Sequence, residues 1–330
     1  MHISFLPTPA QPELAERHLS VTIGTYDGVH RAHQRVIHAL INQATQDRTH
    51  TLVVTFHPHP QAIVNPSVAP PKTLTLPSEK YALFEQLHVE EVLDLQFTQE
   101  IAHLRAEAFL EELAAYGAIR HLVVGHDFKM GYKAHGTLSF LSDYCSSHDI
   151  VFTVIPEQRI EGIAVSSTQI RNSLLKGEVE EANLLLGYPY CVTGTVIHGE
   201  EVGQSLGFPT ANLDVHPDKC LPDDGVYATW AWIDGRWKQS TTSIGVRPTF
   251  NGTSRVIETH IHDYEGMLYD QKMTIAFVAR LRSQQRYDKV EALIHAMDQD
   301  TEESTRRLDR EPGLRGGLVP LPVARFAHHS

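Results

Sequence analysis

Two histidines three residues apart, His30 and His33, follow a Gly-Thr-Tyr-Asp-Gly turn in the stretch GTYDGVHRAHQ, residues 24–34. A short apolar run, Val21-Thr22-Ile23, precedes the turn. A glycine turn between strand and helix exposes backbone N–H groups at the positive helix end, which is a seat for phosphate. Histidines at i and i+3 on a first helical turn face one pocket. There they can donate hydrogen bonds to charge developing on a phosphoryl group without becoming nucleophiles. Spacing alone also allows both to be ordinary surface residues among the chain's 21 histidines. Zinc is a third reading, with the HPHP run at 57–60 supplying further ligands, but the chain has no HExxH and no sequence cluster to complete a tetrahedral site. The turn is neither a Walker A loop nor GxGxxG.

A second constellation lies in VSSTQIRNSL, residues 165–174. Ser166, Ser167 and Thr168 precede an amphipathic helix, and their hydroxyls can cap it. Arg171 stands three residues after Thr168 and can fork onto the same phosphate.

Positioning such groups requires a scaffold, and the first half of the chain supplies a pattern for one. Apolar runs SVTIG (20–24), HTLVVTF (50–56), EVLDLQF (91–97), HLVVG (121–125) and IVFTVI (150–155) alternate with helical stretches HQRVIHALINQATQ, SEKYALFEQLH, AEAFLEELAAYG and LSFLSDYCSSH. Strands alternating with helices predict βαβ units and a parallel, doubly wound sheet. Such sheets bind ligands beyond the carboxyl ends of their strands. GTYDGVH, HPHP and GHDFKMG all fall at those ends. The stretch SSTQIRNSLLKGEVEEANLLLG reads as helical and ends at Gly187. After it come YCVTGTVI, GVYATWAWI, TTSIGV, SRVIETHIH and KMTIAFVARL, separated by turn signals such as PDDG, DG and NG. Short strands with regular turns predict an antiparallel barrel or sandwich, closed by a helix over roughly 287–308.

Bulk properties exclude several classes. The chain has 330 residues, long enough for two domains. Its 42% hydrophobic and 21% charged residues are those of a soluble globular protein. The net charge of −12, with no basic tract, argues against nucleic acid as a partner. No run approaches the roughly 20 apolar residues of a membrane helix, and the N-terminal stretch lacks the regions of a signal peptide. Cys145, Cys191 and Cys220 are widely spaced, as expected of free thiols in a reducing cytoplasm.

Taken together and in order, GTYDGVHRAHQ, TFHPHP, GHDFKMGYKAHG and SSTQIR resemble the adenylyltransferase half of the bacterial bifunctional riboflavin kinase/FAD synthetases. GTVIHGEEVGQSLGFPTANL (194–213), DGVYATW, IGVRPTFNG and ETHIHDYEGMLYD resemble their kinase module, LGFPTANL being the most specific motif. The resemblance implies a Rossmann-like nucleotidyltransferase domain with a parallel sheet over 1–186, and an antiparallel β-barrel riboflavin kinase domain over 187–308. Residues 309–330, rich in Pro and Gly, read as a disordered or non-native tail. Two reactions are implied: phosphorylation of riboflavin by ATP to FMN, then transfer of AMP from a second ATP to FMN, giving FAD and pyrophosphate.

By the same resemblance, Glu258 is the catalytic carboxylate of the kinase. Thr210 and Asn212 hold Mg²⁺, their neutral oxygens sharing one side of an extended strand. Gly199, Gly203, Gly207 and Pro209 belong to the nucleotide loop. In the transferase half, His30 and His33 face the triphosphate, with Gly24 and Asp27 in their turn. Asp127 lies near the FMN or nucleotide, and Ser167, Thr168 and Arg171 bind phosphate. The chain departs from the family at Ala32, where glycine is usual between the histidines, at Gln204, where arginine is usual, and at Ser243, where asparagine is usual. Two alternatives stay open: that one activity alone is retained, or that the protein is a flavin- or nucleotide-binding regulator with decayed chemistry.

Overall fold

Strands and helices alternate through the first half as their sequence periods dictate. The structure is a computed structural model that describes residues 1–5, 17–198, 208–249, 252–310, 318–319 and 321. Two compact units divide between Val165 and Ser166.

In the first unit the order is β1 (His2–Phe5), β2 (His18–Ile23), α1 (Arg31–Asp47), β3 (His50–His57), α2 (Pro60–Val64), α3 (Pro77–Gln86) and β4 (Glu91–Gln96). α4 (Gln99–His103), α5 (Ala106–Leu113), β5 (Ala118–Gly125), α6 (Leu138–Ser147), β6 (Val151–Ile155) and a two-strand ribbon, β7 (Arg159–Ile160) with β8 (Ile163–Ala164), follow. The main sheet runs β1-β4-β3-β2-β5-β6, and every neighbouring pair is parallel. All five predicted strands are present. β1 is the addition, a four-residue edge strand too short to show a period.

The order reverses between β2 and β5: β3 and β4 lie to one side of β2, and the chain then crosses to lay β5 and β6 on the other. A crevice beyond the carboxyl ends of two such strands is where doubly wound sheets bind ligands. The GTYDG turn leaves β2 at that point and the GHDF loop leaves β5. Leu19, Val21, Leu52, Val54, Leu93, Leu122 and Val124 form a continuous core with Leu110, Leu113 and Leu141 of the helices, which fixes both strand ends.

The second unit comprises α7 (Ser167–Leu175), α8 (Val179–Leu186), β9 (Tyr190–Ile197), β10 (Thr210–Val215), β11 (Gly225–Ile233), β12 (Arg236–Thr249), β13 (Gly252–Ile261), β14 (Lys272–Arg282) and α9 (Val290–Arg310). Its six strands close into an antiparallel barrel, β10-β13-β12-β11-β14-β9. The helical stretch over 166–187 proves to be two helices. Gly177 breaks it with φ +77°, and a Cβ there would collide with the Arg280 guanidinium at 2.4 Å. That guanidinium donates to the Lys176 carbonyl at 2.7 Å.

Inside the barrel Leu213, Ile257 and Ile244 form one cross-strand row, and Ala211, Thr259 and Thr242 the next. Their alternates therefore face outward, where α9 packs. Of the stretch expected to be a tail, Asp309 and Arg310 complete α9. Val319 packs on Cys191 and Ala276, with Trp230, Trp237 and Leu321 around it; except for Leu318, the rest lies outside the described residues.

Candidate active sites

The turn after β2 is held in a conformation that presents α1 end-on. Gly24 is tightly placed: a Cβ there would stand 3.0 Å from the Tyr26 ring, which would have to give by a few tenths of an ångström. Tyr26, Gly28 and Val29 all have positive φ, 50°, 83° and 36°. Such φ values are costly for tyrosine and valine and persist only where surroundings impose them. The Tyr26 hydroxyl meets Thr22 Oγ1 at 2.5 Å, and Thr22 donates onward to the Val123 carbonyl at 2.6 Å. Burial pushes the Tyr26 hydroxyl pKa up, keeping it protonated. Asp27 is 6% exposed; its carboxylate accepts from the amides of Leu74 and Thr75 at 2.9 and 3.1 Å.

His30 is the N-cap of α1: its Nδ1 accepts from the His33 amide at 3.3 Å. A neutral His30 therefore carries its proton on Nε2. The two imidazoles stack, with ring centroids 3.6 Å apart and planes 14° from parallel. Tyr26 meets His33 edge-on at 5.0 Å. Burial first, then the neighbouring His30 and Lys80, holds His33 well below the ordinary imidazole range. His33 Nδ1 is buried without a hydrogen-bond partner among the described residues. At neutral pH His33 is thus an uncharged imidazole in the crevice. Asp127 is exposed in the loop after β5, on the other side of the switch point.

HPHP serves local structure: His59 caps α2 through Nδ1, which accepts from the Gln61 amide at 3.3 Å. Among the described residues no cluster of three or more His, Cys, Asp or Glu is arranged to hold a metal. Ser166 caps α7, accepting from the Gln169 amide at 3.2 Å. Ser167, Thr168 and Arg171 follow on that helix, which belongs to the second unit. Gly199, Gly203, Gly207 and Gln204 lie outside the described residues.

The second site is written in the barrel's register. Asn212 on β10 stands opposite Glu258 on β13, which stands opposite Ser243 on β12. One step along, Thr210, His260 and Thr241 form a parallel row. Directly opposed residues share a face, so these six side chains line one outer patch. That patch floors a cavity of about 330 Å³, roofed by Leu293, Met297, Asp300 and Thr301 of α9. These four lie on one face of the helix. Arg282 fixes α9 there, donating to both oxygens of Asp300 at 2.8 and 2.7 Å. The His260 Nδ1–H donates to the Pro209 carbonyl at 3.0 Å, tethering the start of β10.

His262 flanks this patch. Its Nε2 is 2.9 Å from Thr241 Oγ1 and its Nδ1 3.4 Å from Thr305 Oγ1 of α9. Burial, reinforced by His260 and opposed by Asp263, lowers its pKa to about 4. The fold therefore favours neutral His262. Its contribution is fully present above the unfolded value near 6.5 and is lost as pH falls from there through 4. Denaturant melts of the second unit should weaken over that window, and His262→Gln should flatten the decline; an unchanged pH slope in the variant contradicts this assignment.

A parallel-sheet unit with paired imidazoles at its switch point, followed by a closed barrel with a carboxylate facing threonine and asparagine, defines a two-module nucleotide-handling enzyme. The family model for FAD synthetase matches residues 13–169, and that for riboflavin kinase matches 186–308. The bifunctional riboflavin kinase/FMN adenylyltransferase of Listeria monocytogenes is 34% identical over 87% of this chain and 91% of its own length. That of Pseudomonas fluorescens is 35% identical over 84% and 89%. A crystal structure titled as a macrolide-efflux protein from Streptococcus pneumoniae superposes with TM-score 0.82 at 28% identity, covering 93% of this chain and 99% of that one. The chain belongs to the bifunctional riboflavin kinase/FMN adenylyltransferase family. Among the described residues no helix is long and apolar enough to cross a membrane.

Lys80, bonded to the GTYDG turn, is a residue that the sequence patterns did not single out. It lies on α3, where a lysine in SEKYALF reads as a solvent-facing position, yet it is 6% exposed. Its Nζ donates to Thr55 Oγ1 at 2.8 Å and to the Thr25 carbonyl at 3.4 Å. No local pattern signals this, because the burial of Pro77 through Phe84 arises only when the folded chain covers that part of α3.

Proposed function

We propose that the chain makes FMN and then FAD, with residues 1–186 carrying adenylyl transfer and 187–308 carrying the kinase. Support comes from one observation above all: each of two unlike units has its own polar site, the stacked imidazoles in one and Glu258 opposite Asn212 in the other. In the kinase, Glu258 accepts the proton of the riboflavin 5′-hydroxyl as that oxygen attacks the γ-phosphorus of ATP, and ADP leaves. Thr210 and Asn212 present hard neutral oxygens on the face shared with Glu258, a donor set that fits Mg²⁺. Held by Thr210 and Asn212, Mg²⁺ would supply neutralisation of phosphate charge. Gly199, Gly203, Gly207 and Pro209 carry the ATP loop.

In the transferase, the FMN phosphate attacks the α-phosphorus of ATP and pyrophosphate leaves, with no covalent enzyme intermediate. His30 and His33 donate to the polyphosphate as charge builds on the departing oxygens. Gly24 and Asp27 shape the turn that aims them. Asp127 serves the FMN or nucleotide, and Ser167, Thr168 and Arg171 bind phosphate. Catalysis is then positioning and electrostatics. The described free cysteines, all buried, are in keeping with a cytoplasmic setting.

Incubation with riboflavin, ATP and Mg²⁺, followed by chromatography, tests the reading. FMN should appear first and FAD after it. FMN alone means a kinase only; FAD formed from supplied FMN but not from riboflavin means a transferase only; flavin binding with no product means a regulator.

A further inference from the structure

Lysine is almost never buried without an ion-pair partner, because an uncompensated buried charge is costly. Lys80 breaks that rule. It is 6% exposed, and no carboxylate of the described residues comes within the 4.0 Å of an ion pair. Asp94 accepts from the Tyr81 hydroxyl, and Asp27 accepts from the amides of Leu74 and Thr75. Both carboxylates pull the Lys80 pKa upward from a distance, but burial outweighs them and lowers it.

The lysine's position gives the imbalance a use. An ammonium donates three hydrogen bonds. Two go to Thr55 Oγ1 and the Thr25 carbonyl, at the ends of β3 and β2, and the third has no partner among the described residues. Lys80 and Phe84 share one face of α3, four residues apart. Phe84 packs edge-on against Tyr26 at 5.7 Å, so this face of the helix meets the GTYDG turn. The Lys80 charge also acts on His33. A buried cation with one unused donor therefore sits beside the turn that carries the two imidazoles.

We propose that Lys80 is a polyphosphate-binding residue of the first module, its ammonium pairing with the bound triphosphate and with the pyrophosphate that leaves. The imidazoles supply hydrogen-bond donors and Lys80 the buried positive charge. This rests on reading the first module as an adenylyl transferase, and the test separates the two claims.

The reverse reaction, FAD plus pyrophosphate giving FMN plus ATP, reports on this module alone. Wild-type full-length chain should catalyse it; no conversion at all sinks the transferase reading and the proposal with it. Lys80→Met and Lys80→Gln should raise the KM for pyrophosphate roughly 10- to 100-fold, leaving the KM for FAD nearly unchanged. An unchanged pyrophosphate KM, or equal losses for both substrates, overturns the assignment of Lys80 and leaves the transferase reading standing. Should the variants fail to fold, the wild type decides. Acetylation of Lys80 by acetic anhydride, read by peptide mass spectrometry, should fall as pyrophosphate saturates the protein, and labelling indifferent to pyrophosphate contradicts the proposal.

Discussion

Glu258→Ala is expected to cut FMN formation from riboflavin by roughly 10²- to 10⁴-fold, the usual worth of a positioned general base, while the same chain still converts supplied FMN to FAD. The expectation follows from register. Glu258 lies between Asn212 and Ser243 on the outer face of the barrel, at the floor of the cavity. Its strand neighbours Ile257 and Thr259 are the ones that fill the interior. The substitution therefore removes a carboxylate from the site without opening the core. Assaying both products from one preparation checks this. A parallel fall in both activities contradicts the separate-site assignment.

His33→Ala is expected to slow adenylyl transfer by roughly 10²- to 10³-fold, the cost of removing one preorganised donor to developing charge, with riboflavin phosphorylation unaffected. His30 needs a different substitution, because it does two jobs. It caps α1 through Nδ1, and losing a cap costs about 0.5–2 kcal/mol. His30→Asn retains a good capping side chain and removes the imidazole, so it should lose transfer while the first unit melts near the wild-type temperature. FAD formation at wild-type rate in both variants contradicts the role given to the pair.

Much of this architecture was legible because apolar period and turn chemistry agree along the chain. The runs HTLVVTF and EVLDLQF match β3 and β4 to within a residue, and YCVTGTVI and GVYATWAWI are β9 and β11. Gly187 ends α8 in the left-handed conformation, φ 84°, as its place after an apolar helix suggests. What stayed hidden depended on contacts distant in sequence. The Arg280 guanidinium that fills the space at Gly177 and donates to the Lys176 carbonyl comes more than a hundred residues later. The strand β1 exists through its pairing with β4. In the sites, the alternation of TAN and the spacing of His30 and His33 were visible locally. The opposition of Asn212 to Glu258 required the barrel to close, and the burial of Lys80 required α3 to be covered.

Isotopic labelling of the two ends of ATP tests the central claim most directly. With riboflavin and [γ-³²P]ATP, label should enter FMN and remain in FAD. With [α-³²P]ATP it should bypass FMN and enter FAD alone. Failure of α-label to reach any flavin, or its appearance in FMN, contradicts the assignment of terminal-bond cleavage to the barrel and innermost-bond cleavage to the parallel-sheet unit.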